Sequence, residues 1–329
     1  MFRYAALIVA VYALAASLAA CGGDDGSSQT SSSSDEPTTL KVGVIPIIDV
    51  APLYLGIQKG FFERRGLKIE PELAEGGAAI VPAVISGSNE IGFSNNVSLF
   101  IASSKGLPVK IISEGVGISP DATAGDSDVG YCEVLAPKDS SILGPADLAG
   151  KTIAVNTLNN IGDVTIKAAL ERNGVDPSGV KFSEIPFPDM LAALNAGRVD
   201  AAWECEPFVS QGLEEGAVGV LNNYAETDPE LSVATYFASE EWLQENPEVA
   251  KRFVDALHES LDYAAAHPDE ARAATKEYTK LPPEALKKLG LPEWRSELNR
   301  ESLESLAALT AKYGLTDGPA NLDTLVQEP

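Results

Sequence analysis

The strongest constraint on the fold is a regular alternation of short apolar strands with helices. Apolar residues dominate 40–46, and Pro52 in the following segment suits the first turn of a helix that ends near Gly60. Further strands are predicted at 67–73, 91–93, 109–112, 132–136, 152–155, 180–185 and 201–204, and further helices at 78–86, 97–104, 161–173 and 189–197. Strands that alternate with helices across short loops are typical of a parallel α/β sheet with helices on both faces.

The alternation stops in a Gly- and Asp-rich passage at 115–130 and then restarts, which indicates two successive α/β blocks. Beyond Pro229 the pattern predicts helix alone. The predicted C-terminal helices cover 247–266, 268–280, 282–289 and 301–312. We therefore predict two α/β lobes and a set of C-terminal helices.

Residues 1–20 have the layout of a secretory signal peptide, with Arg3 as a short cationic region and an uncharged apolar run at 4–18. This run is too short for a stable transmembrane helix. It is followed by Ala-Ala-Cys21, which resembles a bacterial lipobox and predicts a lipidated Cys21; an ordinary signal peptide followed by a cysteine is the alternative. Residues 22–39 contain no large apolar side chain before the body begins, so we expect a flexible tether.

The acidic composition argues against one class of partner. The formal net charge is −24 at pH 7, and nucleic-acid phosphates would be repelled by it. The alternative to any charge-driven partner is a solvated acidic surface that keeps an exported protein soluble. We predict no nucleic-acid partner.

Several enzyme and metal motifs are missing from the sequence. It contains no phosphate-binding P-loop, no Gly-x-Ser-x-Gly and no His-Glu-x-x-His. Gly115 and Gly117 lack the third glycine of a dinucleotide fingerprint, and His258 and His267 have no companion ligands at metal spacing. The sequence predicts no cofactor and no metal, although a hydrolase that uses a pair of carboxylates stays open.

Besides Cys21 the chain has two cysteines, Cys132 and Cys205. An even number of cysteines in an oxidising compartment permits a disulfide, and both lie in predicted strands of the same region. The alternative is a pair of buried free thiols.

Polar residues follow several predicted strands, at the edge where an α/β sheet places its ligand crevice. Asp49 follows the first strand, Asn95 and Asn96 follow the third, and Asn156 and Thr157 follow a strand of the second block. Each position alone is explained by capping of the next helix. Their occurrence in both blocks at the same edge favours a shared pocket, in which the helix N-termini would attract an anionic group.

The segment around Trp203 places an aromatic ring and two carboxylates at the end of a strand. Pro207 has no amide hydrogen to donate, so the strand should stop before it, near Glu206. Trp203, Glu204 and Glu206 are interpreted either as ligand contacts or as a core tryptophan beside solvated glutamates. A carboxylate in the pocket would favour an amine or a protonated ring nitrogen.

A series of short segments together resembles one family. The segments are the lipobox, Val42–Val44, Asp49–Tyr54, Gly60–Phe62, Gly66–Glu70, Lys138–Ser140, Asp147–Val155, Gly197–Ala202, Glu206–Phe208 and Asn246–Val249. They are similar to the substrate-binding proteins of ABC importers in the nitrate/sulfonate/taurine and thiamine-pyrimidine-precursor superfamily. The resemblance implies a type II periplasmic-binding-protein fold: two α/β lobes joined by a hinge of two crossing strands, with C-terminal helices that return to the first lobe.

The resemblance also implies a domain division and a function. Lobe 1 is expected at 40–128 plus 233–329, and lobe 2 at 129–232. The protein is expected to be a monomer outside the cytoplasm, anchored to the bacterial cell membrane by its N-terminal lipid. It would bind a small molecule between the lobes and deliver it to a membrane permease, without enzymatic activity. A sensor that presents its ligand to a receptor and a secreted carboxylate-based enzyme are the alternatives.

The residues that match the family's cleft positions form the predicted binding site. They are Asp49, Tyr54, Asn95, Asn96, Asn156, Thr157, Trp203 and Glu206. This chain has Cys205-Glu206-Pro207-Phe208 where sulfonate binders commonly have Trp-Asp-Pro-Phe. The ligand class is therefore left open among sulfonates, zwitterions and N-heterocycles.

Overall fold

The computed structural model describes residues 36–118 and 130–327. The predicted signal peptide, the predicted lipidation at Cys21 and most of the predicted tether lie outside these residues. Across the two described ranges, every helix is too short or too polar to cross a bilayer.

The strands of the described chain are β1 (Thr38–Val44), β2 (Leu67–Leu73), β3 (Ile91–Asn95), β4 (Val109–Gly117), β5 (Cys132–Pro137), β6 (Thr152–Val155), β7 (Lys181–Glu184), β8 (Ala201–Cys205), β9 (Ala217–Leu221), β10 (Ser232–Ser239) and β11 (Glu293–Trp294).

The α-helices of the same ranges are α1 (Ala51–Gln58), α2 (Gly77–Ile85), α3 (Asn96–Ser104), α4 (Ile161–Arg172), α5 (Phe187–Asn195), α6 (Phe208–Glu214), α7 (Asn223–Thr227), α8 (Glu240–Glu245), α9 (Pro247–Ala266), α10 (Pro268–Ala274), α11 (Pro283–Leu286), α12 (Arg300–Lys312) and α13 (Leu322–Leu325).

The strands form two separate sheets. The first has the order β11-β4-β10-β3-β1-β2, and the second has the order β7-β6-β8-β5-β9. β1 pairs in parallel with β2 and β3, and β6 pairs in parallel with β7 and β8. The predicted alternation of strand and helix therefore gives parallel pairs in both blocks, as expected.

The prediction of parallel sheets is wrong for three strands. β10 runs antiparallel to β3 and β4, β11 runs antiparallel to β4, and β5 runs antiparallel to β8 and β9. β5 and β10 are each the first strand after the chain has crossed from one sheet to the other. Both sheets are therefore mixed.

The prediction of helix alone beyond Pro229 is also wrong, because β10 is a central strand of the first sheet. All eight of its residues are buried. Its sequence, Ser-Val-Ala-Thr-Tyr-Phe-Ala-Ser, is rich in the β-branched and aromatic residues that favour strands. Phe237 lies opposite Gly92 of β3, where a Cβ atom would be 2.5 Å from the phenylalanine ring. Glycine at 92 therefore makes room for the core aromatic residue.

The two crossings divide the chain into three stretches. Strands of the first sheet come from 38–117 and 232–294, whereas strands of the second sheet come from 132–221. The chain thus forms a two-lobed α/β fold with C-terminal helices. The residue numbers at which the lobes were divided in the sequence analysis stay a prediction.

The C-terminal helix α9 packs against α1, next to the first sheet. Phe253 of α9 contacts the ring of Phe62 with centroids 5.6 Å apart, and both side chains are buried. Gly56 of α1 lies so close to Ser260 of α9 that a Cβ atom there would collide with the serine hydroxyl. This close packing fixes α9 against the second half of α1 and the segment that follows it.

Candidate ligand-binding cleft

An enclosed space lies between the two sheets, at the carboxyl ends of β1, β3, β6 and β8. Its empty volume, including the open mouth, is about 330 Å³, of which only about 20 Å³ is free for a water-sized group. The residues that line it are Ile45, Ile47, Asp49, Phe93, Asn95, Asn156, Asn160, Ile161, Phe187, Trp203, Cys205, Tyr224, Val233 and Ala234. Both sheets contribute side chains, and the position is the crevice that open α/β sheets offer to ligands. We call this space the inner cavity.

Asp49 lies in the inner cavity on a short 3-10 turn between β1 and α1. The turn is held by two aromatic side chains: Trp294 Nε1 donates to the Asp49 carbonyl oxygen at 3.2 Å, and the Tyr278 hydroxyl donates to the Ile47 carbonyl oxygen at 3.0 Å. The Asp49 Oδ2 atom is buried and has no hydrogen-bond partner. Burial raises the pKa of this carboxyl to about 7.

Tyrosine side chains surround Asp49. Burial, and after it the Asp49 charge, raises the pKa of Tyr131, Tyr224 and Tyr236 well above the usual value. The hydroxyl oxygens of Tyr131 and Tyr236 are buried without a hydrogen-bond partner. The carboxylate therefore lies in an apolar, aromatic environment that offers it little solvation.

Trp203 of β8 forms the opposite wall of the inner cavity. Its ring lies 5.6 Å from that of Phe187 and 5.8 Å from that of Tyr224, measured between centroids. Gly162 of α4 lets the helix approach, since a Cβ atom there would be 2.7 Å from the indole. The indole Nε1 is buried and has no acceptor. The cavity thus has an unpartnered donor, Trp203 Nε1, on one wall and an unpartnered acceptor, Asp49 Oδ2, on the other.

Asn95 and Asn96 behave differently from each other. Asn95 lines the inner cavity and caps α3, with Oδ1 accepting from Ser98 N at 3.0 Å. Asn96 is buried away from the cavity, where Nδ2 donates to the Ser232 carbonyl at 3.0 Å and Oδ1 accepts from Thr235 Oγ1 at 2.8 Å. Asn96 therefore ties α3 to β10.

Asn156 and Thr157 follow β6. Asn156 lines the inner cavity, and its Nδ2 donates to the carbonyl of Glu75, which follows β2 of the other sheet, at 3.2 Å. Thr157 does not line the cavity; its Oγ1 accepts from Asn160 Nδ2 at 2.6 Å. The helix α4 is capped by Asn160, whose Oδ1 accepts from Gly162 N at 2.8 Å.

Glu206 is not among the residues that line the inner cavity, and its role as a ligand contact stays a prediction. Its carboxylate accepts from Ser210 N at 3.0 Å, from Ser210 Oγ at 2.7 Å and from Gly290 N at 2.9 Å. These bonds join the first turn of α6 to the chain before β11. Burial raises the pKa of Glu206 to about 7, an effect that the three hydrogen bonds oppose.

Tyr54 also lies outside the inner cavity. It projects from α1, and its ring contacts that of Tyr278 with centroids 4.5 Å apart. Tyr278 in turn holds the carbonyl of Ile47, as described above. Tyr54 therefore contacts the residue that holds the Asp49 turn, and does not contact the cavity itself.

Cys132 and Cys205 are paired residues in the antiparallel register of β5 and β8. Their Cα atoms are 3.9 Å apart, and their sulfur atoms form a disulfide. Cys205 lines the inner cavity, so the disulfide forms part of its wall. No cluster of three metal-ligating side chains occurs in residues 36–118 and 130–327.

A second space adjoins the inner cavity and has an empty volume of about 680 Å³. It is lined by Ile45, Pro46, Leu73, Ala74, Glu75, Pro186, Phe187, Pro188 and Asp189. Ile45 and Phe187 line both spaces and therefore separate them. We call this space the outer compartment.

Sequence reasoning missed most of the apolar lining. Phe187 is the first residue of α5 and Tyr224 the second residue of α7, positions at which an isolated aromatic residue is usually part of the core. Asn160 was within the predicted polar loop before α4, and its position immediately before the first helical residue is the signal of a cap. The aromatic residues gave no comparable local signal.

Comparisons with known proteins agree with this geometry. A family profile described as NMT1/THI5 like matches residues 47–271. The match covers more than half of the chain. The chain belongs to the NMT1/THI5-like family.

Relatives of this NMT1/THI5-like chain include the taurine-binding periplasmic protein of Escherichia coli K12, 25% identical over 64% of this chain and 61% of the relative. The riboflavin-binding protein RibY of Chloroflexus aurantiacus is 27% identical over 86% of this chain and 77% of the relative. The match thus spans about three fifths of the length of the taurine-binding relative.

Solved structures show the same fold. The alkanesulfonate-binding protein SsuA of Xanthomonas axonopodis pv. citri, bound to MOPS, superposes with a TM-score of 0.74 at 18% identity, covering 89% of this chain and 99% of that chain. The nitrate-binding protein NrtA of Synechocystis PCC 6803 gives 0.68 at 17% identity, covering 88% and 84%. The two-lobed fold predicted from the sequence is confirmed.

Proposed function

We propose that this protein captures a small polar organic molecule between its two lobes, outside the cytoplasm, and delivers it to an ABC importer. The observation that carries the proposal is the pair of unpartnered polar atoms in the inner cavity, Asp49 Oδ2 and Trp203 Nε1. A buried donor and a buried acceptor without partners are costly, and a ligand that bonds to both removes that cost.

The proposed site combines the predicted residues that line the cavity with those that hold them. Asp49, Asn95, Asn156 and Trp203 face the ligand. Tyr54, Asn96, Thr157 and Glu206 support the site through the contacts described above. The lobes, proposed at 40–128 plus 233–329 and at 129–232, close over the ligand by a hinge motion, as in periplasmic binding proteins generally.

The ligand comes from the sulfonate, zwitterion or N-heterocycle classes. The taurine- and riboflavin-binding relatives support this range, because they show that the family serves chemically different solutes. The importer role is supported by a relative named as an ABC transporter periplasmic binding protein, from Brachyspira hyodysenteriae. The proposed location is the outer face of the cell membrane, with a monomer anchored through lipid on Cys21.

The test is capture of a ligand by the purified full chain. Native mass spectrometry identifies any molecule that co-purifies, and a thermal-shift panel of sulfonates, amines, amino acids and riboflavin is then applied. A captured compound should raise the melting temperature with the logarithm of its excess and be recovered unchanged after denaturation. Recovery of a chemically altered product would instead indicate an enzyme, and a panel without any stabilising compound would contradict the proposal.

A further inference from the structure

All charged side chains that line the two spaces of the cleft are carboxylates. Among the residues that line the inner cavity, Asp49 alone has a carboxylate and none is Lys or Arg. The outer compartment adds the carboxylates of Glu75 and Asp189 and again no Lys or Arg. An anionic ligand would therefore meet like charge in both spaces without a cation to offset it.

Several backbone donors near the N-termini of α4 and α3 are already occupied. Before α4, Leu158 N donates to the Glu184 carboxylate at 2.8 Å, and Asn159 N donates to the Asp163 carboxylate at 2.7 Å. In the first turn of α3, Ser98 N donates to Asn95 Oδ1. The protein's own oxygen atoms thus take some of the donors that a sulfonate or carboxylate would use.

The unpartnered atoms specify the complementary ligand. Asp49 Oδ2 needs an N–H or O–H donor, and a positively charged donor gives the stronger bond. Trp203 Nε1 needs an acceptor on the same end of the ligand. The rings of Phe93, Trp203 and Tyr224 form the surrounding wall, and aromatic faces attract a cation.

The shape of the cleft indicates a ligand longer than the inner cavity. The outer compartment meets the inner cavity at Ile45 and Phe187 and offers much more free volume, about 310 Å³ against about 20 Å³. Its wall includes Leu73, a large apolar side chain that is 56% exposed. An apolar chain attached to the polar end would cover Leu73.

We propose that the captured molecule is an elongated organic cation, whose ammonium end also carries an uncharged acceptor. The ammonium nitrogen donates to Asp49, and the acceptor receives the hydrogen bond of Trp203. The remainder of the molecule passes between Ile45 and Phe187 into the outer compartment. This assignment rests on the proposed capture function and replaces its ligand class by organic cations.

The experiment compares three probes that differ only at one carbon: 1-aminohexan-2-ol, hexane-1,2-diol and 2-hydroxyhexane-1-sulfonate. They are tested by thermal shift and calorimetry at pH 8, within a metabolite panel sorted into cations, neutral compounds and anions. We expect stabilising compounds in the cationic set, with the aminoalcohol at least ten-fold tighter than the diol and the sulfonate. Asp49→Asn should lower that affinity ten-fold or more, whereas Asp255→Asn, an exposed carboxylate on α9, should not change it.

The outcomes separate the two proposals. Stabilisation by anions that persists in Asp49→Asn would overturn the cation assignment and leave the capture function intact. Stabilisation by cations that is unaffected by Asp49→Asn would overturn the role of Asp49. A panel in which no compound of any charge stabilises the protein would overturn the capture function itself.

A second pair of variants tests the elongated shape. Lengthening 1-aminopropan-2-ol to 1-aminohexan-2-ol adds three methylenes, which should raise affinity about ten-fold or more if they are buried in the outer compartment. Leu73→Ser should reduce this gain and leave the short probe unchanged. Leu143→Ser, at a leucine 81% exposed outside the cleft lining, is the matched control. An undiminished gain in Leu73→Ser would place the chain of the ligand elsewhere.

Discussion

The side chain of Asn156 and the backbone of Glu75 form a hydrogen bond of 3.2 Å between the two halves of the cleft. Asn156 follows β6 of the second sheet, and Glu75 follows β2 of the first. The adjacent Gly76 fits closely against this contact, since a Cβ atom there would be 2.9 Å from Asn156 Nδ2. In the proposed hinge motion, opening of the cleft would break this bond, so the bond would stabilise the closed arrangement.

Asn156→Ala should therefore shift the protein toward an open form. The loss of a net hydrogen bond of about 0.5–1.5 kcal/mol predicts a two- to ten-fold weaker apparent ligand affinity, because binding then has to close the cleft without it. Small-angle scattering should show a larger radius of gyration for the ligand-free variant. Asn195→Ala, which removes an exposed asparagine that bonds to Glu215 on the outer surface, is the control. Equal scattering curves and equal affinity would show that the bond has no such role.

Glu206 provides a second prediction, in which a substitution lowers the stability of the fold but changes ligand affinity little. Glu206→Gln replaces one carboxylate oxygen by an amide that cannot accept from Ser210 or Gly290. We expect the free energy of unfolding to fall by about 1–3 kcal/mol, as for a buried donor left without a partner. The affinity of the folded protein for its ligand should change little, because the side chain does not line the inner cavity.

Urea unfolding and calorimetry on the same preparation measure the two quantities for Glu206→Gln. Glu215→Gln removes an exposed carboxylate near the end of α6 and serves as the control. A ten-fold loss of affinity with unchanged stability would restore the direct ligand contact that the sequence suggested.

The sequence predicted the parallel part of the fold well, because alternation of strand and helix is a local signal. It also placed Asp49, Asn95, Asn156 and Trp203 at the ends of strands, where the structure gathers them around one cavity. These positions follow from topology, since the carboxyl ends of parallel strands meet at one edge.

What could not be predicted from the sequence depends on contacts between residues that are distant in the chain. Glu206 adjoins the cavity-lining Cys205 in sequence, yet its partner Gly290 is 84 residues away and cannot be inferred locally. The sequence did not reveal β10 as a strand of the first sheet, because its neighbours β3 and β4 lie more than a hundred positions earlier in the chain. The aromatic wall, including Phe187 and Tyr224, is identifiable only once the two sheets face each other.

The buried carboxyl groups predict that the ligand-free protein becomes less stable as pH rises from about 5 to about 8. Burial raises the pKa values of Asp49, Glu114, Glu133 and Glu206 to about 7, and that of Asp163 to about 6. Their ordinary values, 3.8 for Asp and 4.5 for Glu, apply in the unfolded chain. Between these limits the folded state binds more protons than the unfolded state, so stability decreases with increasing pH.

Urea midpoints at pH 5.5, 6.5, 7.5 and 8.5 measure this dependence. Burial, and after it charges that include Asp49, also raises the pKa values of four tyrosines, Tyr131, Tyr224, Tyr236 and Tyr278, further above this pH range. These tyrosines therefore stay neutral at all four pH values. Asp49→Asn should flatten the profile and stabilise the protein at pH 8.5. Asp255→Asn, on the exposed face of α9, should leave the slope unchanged. A midpoint that rises with pH would contradict the assignment of these groups as buried.

The disulfide between Cys132 and Cys205 should contribute to both stability and binding. It links residues 73 positions apart, and the chain-entropy estimate for a loop of this size is about 4 kcal/mol. Because Cys205 lines the inner cavity, loss of the link should also loosen that wall and weaken ligand affinity.

The measurement compares urea unfolding and calorimetry of the oxidised protein, the reduced protein and the double variant Cys132→Ala with Cys205→Ala. Cys21→Ser in every sample removes the proposed lipidation site and leaves only the two paired cysteines. Two observations together would contradict the disulfide: free thiols titrated before reduction, and equal urea midpoints for the oxidised and reduced proteins.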